Sequence, residues 1–184
     1  MNRELDHIWW WKLIWKMKCP LKTKIFCWFL LSGKALTWDV LSMKGREGPG
    51  RCYLCNMESE TNAHIRFECS FTRRVWSEIE DKLRYLNFWQ GICVVDYVKN
   101  WVLKADIRYR SLPVIVFWFI WKARNLCCFE DIQPKTHVVT SLCLGLLNSY
   151  PLDKRVMNIR LVVNEHINKA SPWGYFDGSA AGAP

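Results

Sequence analysis

Hydrophobic positions recur at helical spacing along most of the chain. Leu5, Ile8, Trp11, Ile14 and Trp15 fall three and four apart and predict one apolar helix face, with Lys12 and Lys16 flanking it. Pro20 ends that helix and is placed to open the next, expected over roughly 20–32, where Ile25, Trp28, Phe29 and Leu31 crowd one side. Gly33 is its expected stop. "LTWDVLSMKG" predicts a short helix with Thr37 as N-cap and Gly45 past its end. A Gly/Pro loop, "GREGPGR" (45–51), and a polar stretch follow. "SFTRRVWSEIEDKLRYL" then predicts an amphipathic helix with Val75, Ile79 and Leu83 on one face.

Further helices are expected over 92–104, over 112–128 behind Ser111, over 135–149 after Pro134, and over 154–169 behind Asp153. "LPVIVFWFIW" (112–121) is the most hydrophobic run. At ten residues it has about half the length a bilayer requires and stops at Lys122 and Arg124, so it reads as a buried helix and no membrane segment is expected. "SPW" (171–173) has the texture of a linker, and "GYFDGSAAGAP" that of a strand and turn just beginning. No internal repeat is visible. The fold class is mostly α: a small helical module with an irregular Cys/His loop over 5–90, a helical connector over 91–170, and a truncated β start over 171–184.

Composition adds two constraints. Of the 184 residues, 51% are hydrophobic, enough for a real core, and twelve are Trp. The net charge of +9 is uneven: residues 1–51 carry ten Lys/Arg against four acids, and between Asp6 and Asp39 stand six lysines and no acid. Such an excess suits a polyanion, with nucleic acid the first candidate; a merely solvated basic surface is the plainer reading. Lys12, Lys16, Lys18, Lys22 and Lys24, with Arg73 and Arg74, are the candidate phosphate contacts, and such contacts are salt-dependent. Trp15, Trp28, Trp76, Trp118 and Trp121 lie on apolar faces and are expected in the core, which leaves Trp9 and Trp10 freer to stack on bases.

The nine cysteines do not read as a disulfide framework. Their number is odd, Cys127 and Cys128 are adjacent, and the early acids Glu4 and Asp6 do not suit a signal peptide. A reducing, intracellular compartment is expected, with nucleus and cytoplasm both open. Three cysteines stand apart from the apolar runs, in Cys52-x2-Cys55-x8-His64-x4-Cys69. Thiolate and imidazole are the ligands tetrahedral zinc prefers, and the two-residue gap lets Cys52 and Cys55 converge from one turn. Four protein ligands leave no position for water, so the expected Zn²⁺ is structural. Chance clustering in a cysteine-rich chain is the competing explanation.

With those ligands in view, Trp11, Trp15, Pro20, Lys22, Lys24, Phe26, Trp28, Leu30 and Leu31 form the pattern W-x3-W-x4-P-x-K-x-K-x-F-x-W-x-L-L. Followed by Leu36, Thr37, the CxxC…H-x4-C set and Trp76, this pattern resembles the reverse-transcriptase zinc-binding domain of plant LINE-type, non-LTR retrotransposons. "FIWKARNLCCFE" (119–130) is similar to the segment that often follows that domain, and "YFDGSAAGAP" (175–184) to the opening of an RNase H domain. The resemblance implies a parent polyprotein with a reverse transcriptase before this module and an RNase H after it. It also implies that Asp177 matches the first metal-binding acid of RNase H. A two-metal nuclease needs a cluster of acids, and no partner for Asp177 is present in this sequence; no "DD" pair of the polymerase type occurs either. The expectation is a non-enzymatic module that binds nucleic acid weakly. A protein-interaction or spacer module, a retroelement remnant without selected function, and an RNase H-type nuclease remain as alternatives.

Overall fold

The structure, a computed structural model, describes residues 9–84, 97–98, 100–101 and 105–150, with side chains from residue 12 onward. The chain divides into two compact units, Met1–Leu152 and Asp153–Pro184, and everything below concerns the first. The expected helix over 154–169 and the expected strand start lie outside the described residues, as does most of 92–104, where Tyr97, Val98, Asn100 and Trp101 are helical.

Six helices carry the described fold, which is mostly α as its periodicity implies. They are α1 (Trp9–Lys16), α2 (Leu21–Leu31), α3 (Trp38–Met43), α4 (Ser70–Leu83), α5 (Leu112–Glu130) and α6 (Thr136–Asn148). A π-turn over His64–Glu68 and a 3-10 turn over Ile107–Tyr109 complete the set. Among the described residues the extended backbone amounts to one isolated bridge, Arg51 to Ser59.

The punctuation falls where turn chemistry puts it. Pro20 directly precedes α2. Gly33 sits at φ +68°, and behind it the Lys34 amide reaches Phe29 O at 2.8 Å while the Gly33 amide reaches Leu30 O at 3.2 Å. That pair of bonds is the Schellman stop, which satisfies the last carbonyls of α2 and requires the left-handed backbone that glycine adopts without strain.

The buried side of α2 is not the expected one. Thr23, Phe26, Cys27 and Leu30 face the core, whereas Ile25 and Phe29 are exposed and Trp28 and Leu31 are half-buried. A helix apolar around most of its circumference gives periodicity no basis for choosing a side. The choice is made by α5: Phe26 meets the Trp118 ring edge-on and stacks on Trp121, both at 5.5 Å between centroids.

Helix α5 is the centre of the core, with Leu112 through Phe117, Ile120, Ala123, Arg124 and Cys127 all buried. It packs against α2, α6 and the π-turn. By length and composition alone it could cross a membrane, yet most of its apolar stretch is covered by the rest of the fold. The expectation of a buried helix holds, over a longer span than 112–128. On α4, Val75, Trp76 and Ile79 are buried and Leu83 is half-buried, as their spacing implies. Helix α4 packs against α6, where Glu78 accepts hydrogen bonds from the Thr136 and Thr140 hydroxyls.

Candidate metal centre

The site is built from three short pieces of chain. The first is a narrow hairpin after the Gly/Pro loop. The Cys52 amide donates to Glu58 O and the Glu60 amide to Gly50 O, both at 2.8 Å. The Asn56 amide closes the tip on Cys52 O at 2.7 Å, with Asn56 itself at φ +56°. The fold thereby turns Cys52 and Cys55 toward one point, with the Cys55 and Leu54 amides hydrogen-bonded to the Cys52 sulfur. The second piece is the π-turn, opened by Thr61 Oγ1 accepting the His64 amide at 3.0 Å. Its i→i+5 bond, Cys69 amide to His64 O at 2.8 Å, spans the same five positions that separate the two ligands. The third is the N-terminus of α4, where Cys69 stands as N-cap.

Cys52, Cys55, His64 and Cys69 bring one donor atom each into a cluster whose members all lie within 4.8 Å of one another. The Cys52 and Cys69 sulfurs are 3.8 Å apart, and Cys55 Sγ is 3.3 Å from His64 Nε2. A tetrahedral zinc with Zn–S of about 2.3 Å and Zn–N of about 2.0 Å has S···S edges of about 3.8 Å and S···N edges of about 3.5 Å. The donor set therefore fits zinc in chemistry and in size. Cys52, His64 and Cys69 are buried and Cys55 is half-buried, leaving a closed site.

Electrostatics favour thiolate at Cys69. Its thiol is pulled down to about 5, first by the hydrogen bond from Cys52 and against the effect of burial, with the Thr72 and Phe71 amides adding to the pull. A helix N-terminus stabilises such a charge. The shared hydrogen bond and burial push the Cys52 thiol up in turn. Around His64, Glu58 Oε2 stands 3.3 Å from the buried Nδ1, outside hydrogen-bond alignment, with Glu68 also close by. A carboxylate on that side favours the tautomer that leaves Nε2 free for the metal.

Contacts around the four donors hold the three pieces together. Phe67 meets Phe117 of α5 edge-on at 5.8 Å, and Thr72 Oγ1 donates to Ile65 O at 2.6 Å. Asp39 of α3 accepts the Asn62 amide at 3.3 Å. Arg66 is buried, its guanidinium brought down to about 10 by burial, and its Nε donates to Asn62 O. The most extensive of these contacts joins residues far apart in the sequence. Glu60 and Arg124, both buried, form an ion pair with Nη2 2.7 Å from Oε1 and Nε 3.2 Å from each carboxylate oxygen. Glu60 Oε1 also accepts the Trp38 amide at 3.2 Å, and the Arg124 guanidinium lies over the Tyr53 and Trp121 rings. The available signal was Arg124 itself, a cation one turn from Ile120 and Cys127 on the buried side of an apolar helix.

The candidate phosphate contacts are not gathered in one place. Lys12, Lys16 and Lys22 are exposed and Lys18 is half-buried, on or between α1 and α2, which pack on each other. Lys24 is half-buried and its Nζ donates to Trp15 O at 3.0 Å, where it caps the C-terminal end of α1. Arg73 and Arg74 are exposed on α4, whose main packing partners are α6 and the π-turn, and Arg73 Nε donates to Phe67 O at 3.2 Å. Trp76 is buried, and Trp15, Trp28, Trp118 and Trp121 are half-buried. The side chains of Trp9 and Trp10, and Asp177, lie outside the described residues.

Residues 1–76 match the family described as zinc-binding in reverse transcriptase. The reverse-transcriptase zinc-binding match includes α1 to α3, all four ligands and the first turns of α4, and Zn²⁺ is the metal this donor set is suited to hold. It ends before α5 and α6, so Arg124 lies outside it. No curated protein and no solved structure matches the chain.

Proposed function

We propose that this chain is a non-enzymatic, zinc-stabilised module of a plant LINE-type retrotransposon protein, and that its basic helices bind nucleic acid weakly through the phosphates. The observation that carries the binding is the exposure of Lys12, Lys16 and Lys22 on a stretch of sequence without acids. Lys18, half-buried, is a further candidate contact, whereas Lys24 has a structural partner of its own. Arg73 and Arg74 form a second, smaller contact next to Cys69. In the parent polyprotein a reverse transcriptase precedes the module and an RNase H follows it, with Asp177 as the first acid of the latter. The buried thiols of Cys19, Cys27, Cys127 and Cys143 support a reducing intracellular setting.

The test is a salt series with the zinc-loaded chain and labelled single-stranded RNA, single-stranded DNA and hybrid duplex. Affinity falls with salt, and each of Lys12→Ala, Lys16→Ala and Lys22→Ala reduces the slope of log K against log salt by about 0.7–0.9. No binding at low ionic strength, or slopes unchanged by all three substitutions, rejects the reading.

A further inference from the structure

Helix α2 has a second apolar side that the described fold leaves in solvent. Leu21 is 61% exposed, Ile25 39% and Phe29 42%, at i, i+4 and i+8 along one ridge. Trp28, half-buried, borders it with its ring 4.9 Å from that of Phe29, and Lys34 Nζ lies 5.4 Å over the same indole. Isolated exposed apolar residues need no account, but a continuous i±4 ridge is the surface that helices use to pack on one another. The ridge runs for about 12 Å, the rise of eight helical residues, and so matches about two turns of a partner helix. Aliphatic Leu21 and Ile25 offer no ring for a base to stack on, which favours a protein side chain over a nucleotide as the occupant.

The charge around the ridge selects the partner. Lys22 stands next to Leu21 on the same helix, Lys34 Nζ lies over the bordering Trp28, and the sequence has no acid between Asp6 and Asp39. A second copy docked face to face would set lysine against lysine. We propose that the outer face of α2 is a docking surface for an amphipathic helix of another protein, whose apolar stripe is flanked by Asp and Glu. The apolar stripe packs beside Leu21, Ile25 and Phe29, while the acidic flanks meet the lysines. This surface shares Lys22 with the phosphate-binding reading but rests on the apolar ridge of Leu21, Ile25 and Phe29, which that reading does not use.

The experiment uses the full zinc-loaded chain and two synthetic helical peptides with the same leucine stripe, one flanked by glutamates and one by lysines. The glutamate peptide is expected to bind at least about tenfold more tightly, and Ile25→Asp and Phe29→Ser each to weaken it by about tenfold or more, the loss expected from two to three buried methylene equivalents. Circular dichroism and melting temperature serve as the folding control, and amide chemical-shift changes should centre on residues 21–29. Equal affinity for the two peptides, binding unaffected by both substitutions, or shifts away from α2 overturns the proposal. Self-association of the chain that Ile25→Asp abolishes overturns it in favour of a second copy. An oligonucleotide whose binding is lost with Ile25→Asp and Phe29→Ser overturns it in favour of nucleic acid.

Discussion

Glu60 of the zinc-binding hairpin and Arg124 of the central helix, 64 positions apart, meet as a fully buried two-point ion pair. Because Glu60 also accepts the Trp38 amide, one carboxylate ties the hairpin to α3 and to α5 together. Removing Arg124 alone strands a charge in the interior. Arg124→Met is expected to cost about 3–5 kcal/mol in urea unfolding, and Glu60→Gln together with Arg124→Met to recover a substantial part of that loss. Additive losses in the double variant would contradict the pairing.

The two sides of α2 differ in their tolerance of truncation. Phe26→Ala removes a ring packed against both Trp118 and Trp121 and is expected to cost about 3–5 kcal/mol. Ile25→Ala, on the exposed side, should cost well under about 1 kcal/mol. Chemical denaturation of the two variants checks the assignment, and a loss at Ile25 equal to or larger than that at Phe26 would contradict it.

Much of this was legible in the sequence, and the gaps have physical causes. The four ligands could be read because donor type and short spacing are local properties of Cys52, Cys55, His64 and Cys69. Pro20, Gly33 and Gly45 marked helix ends for the same reason: turn chemistry depends on the residue in place. The side of α2 that faces the core could not be read, because Ile25 and Phe26 are equally apolar and only their neighbours on α5 distinguish them. Nor could the Glu60–Arg124 pair: Arg124 stands among buried positions of an apolar helix, but Glu60 in a polar loop looks like an ordinary surface charge, and nothing local joins the two. Lys24 looked like a phosphate contact, and its bond to the Trp15 carbonyl depends on how α1 turns into α2.

That bond separates Lys24 from its neighbours. Lys24→Ala is expected to lower thermal stability, by about 0.5–1.5 kcal/mol, while Lys12→Ala leaves stability within about 0.5 kcal/mol of the parent. Melting curves for the pair decide, and equal stabilities would mean that the Lys24 bond contributes nothing.

Glu78 gives the α4–α6 contact a pH dependence. Burial would raise its carboxyl, but the Thr136 and Thr140 hydroxyls outweigh that and hold it below the usual glutamate range. A group depressed in the folded state stabilises fully above its unfolded value, about 4.3, and loses that contribution as pH falls through the lower folded value. Thr140→Val removes one of the two donors. The stability gap between parent and variant should be constant near neutrality and shrink as pH falls below about 4. A gap that widens in acid would contradict the assignment.

The central claim is that one Zn²⁺, held by Cys52, Cys55, His64 and Cys69, fastens the hairpin, the π-turn and α4 into one structure. The most direct test is metal content paired with thermal unfolding before and after complete chelation, repeated on Cys69→Ser. The account predicts one zinc per chain, loss of cooperative unfolding or a large fall in melting temperature on removal, and recovery when zinc is restored, since a structural zinc of this kind supplies on the order of 10 kcal/mol. A chain that purifies and refolds without zinc, or melts at the same temperature after all metal is gone, would contradict it.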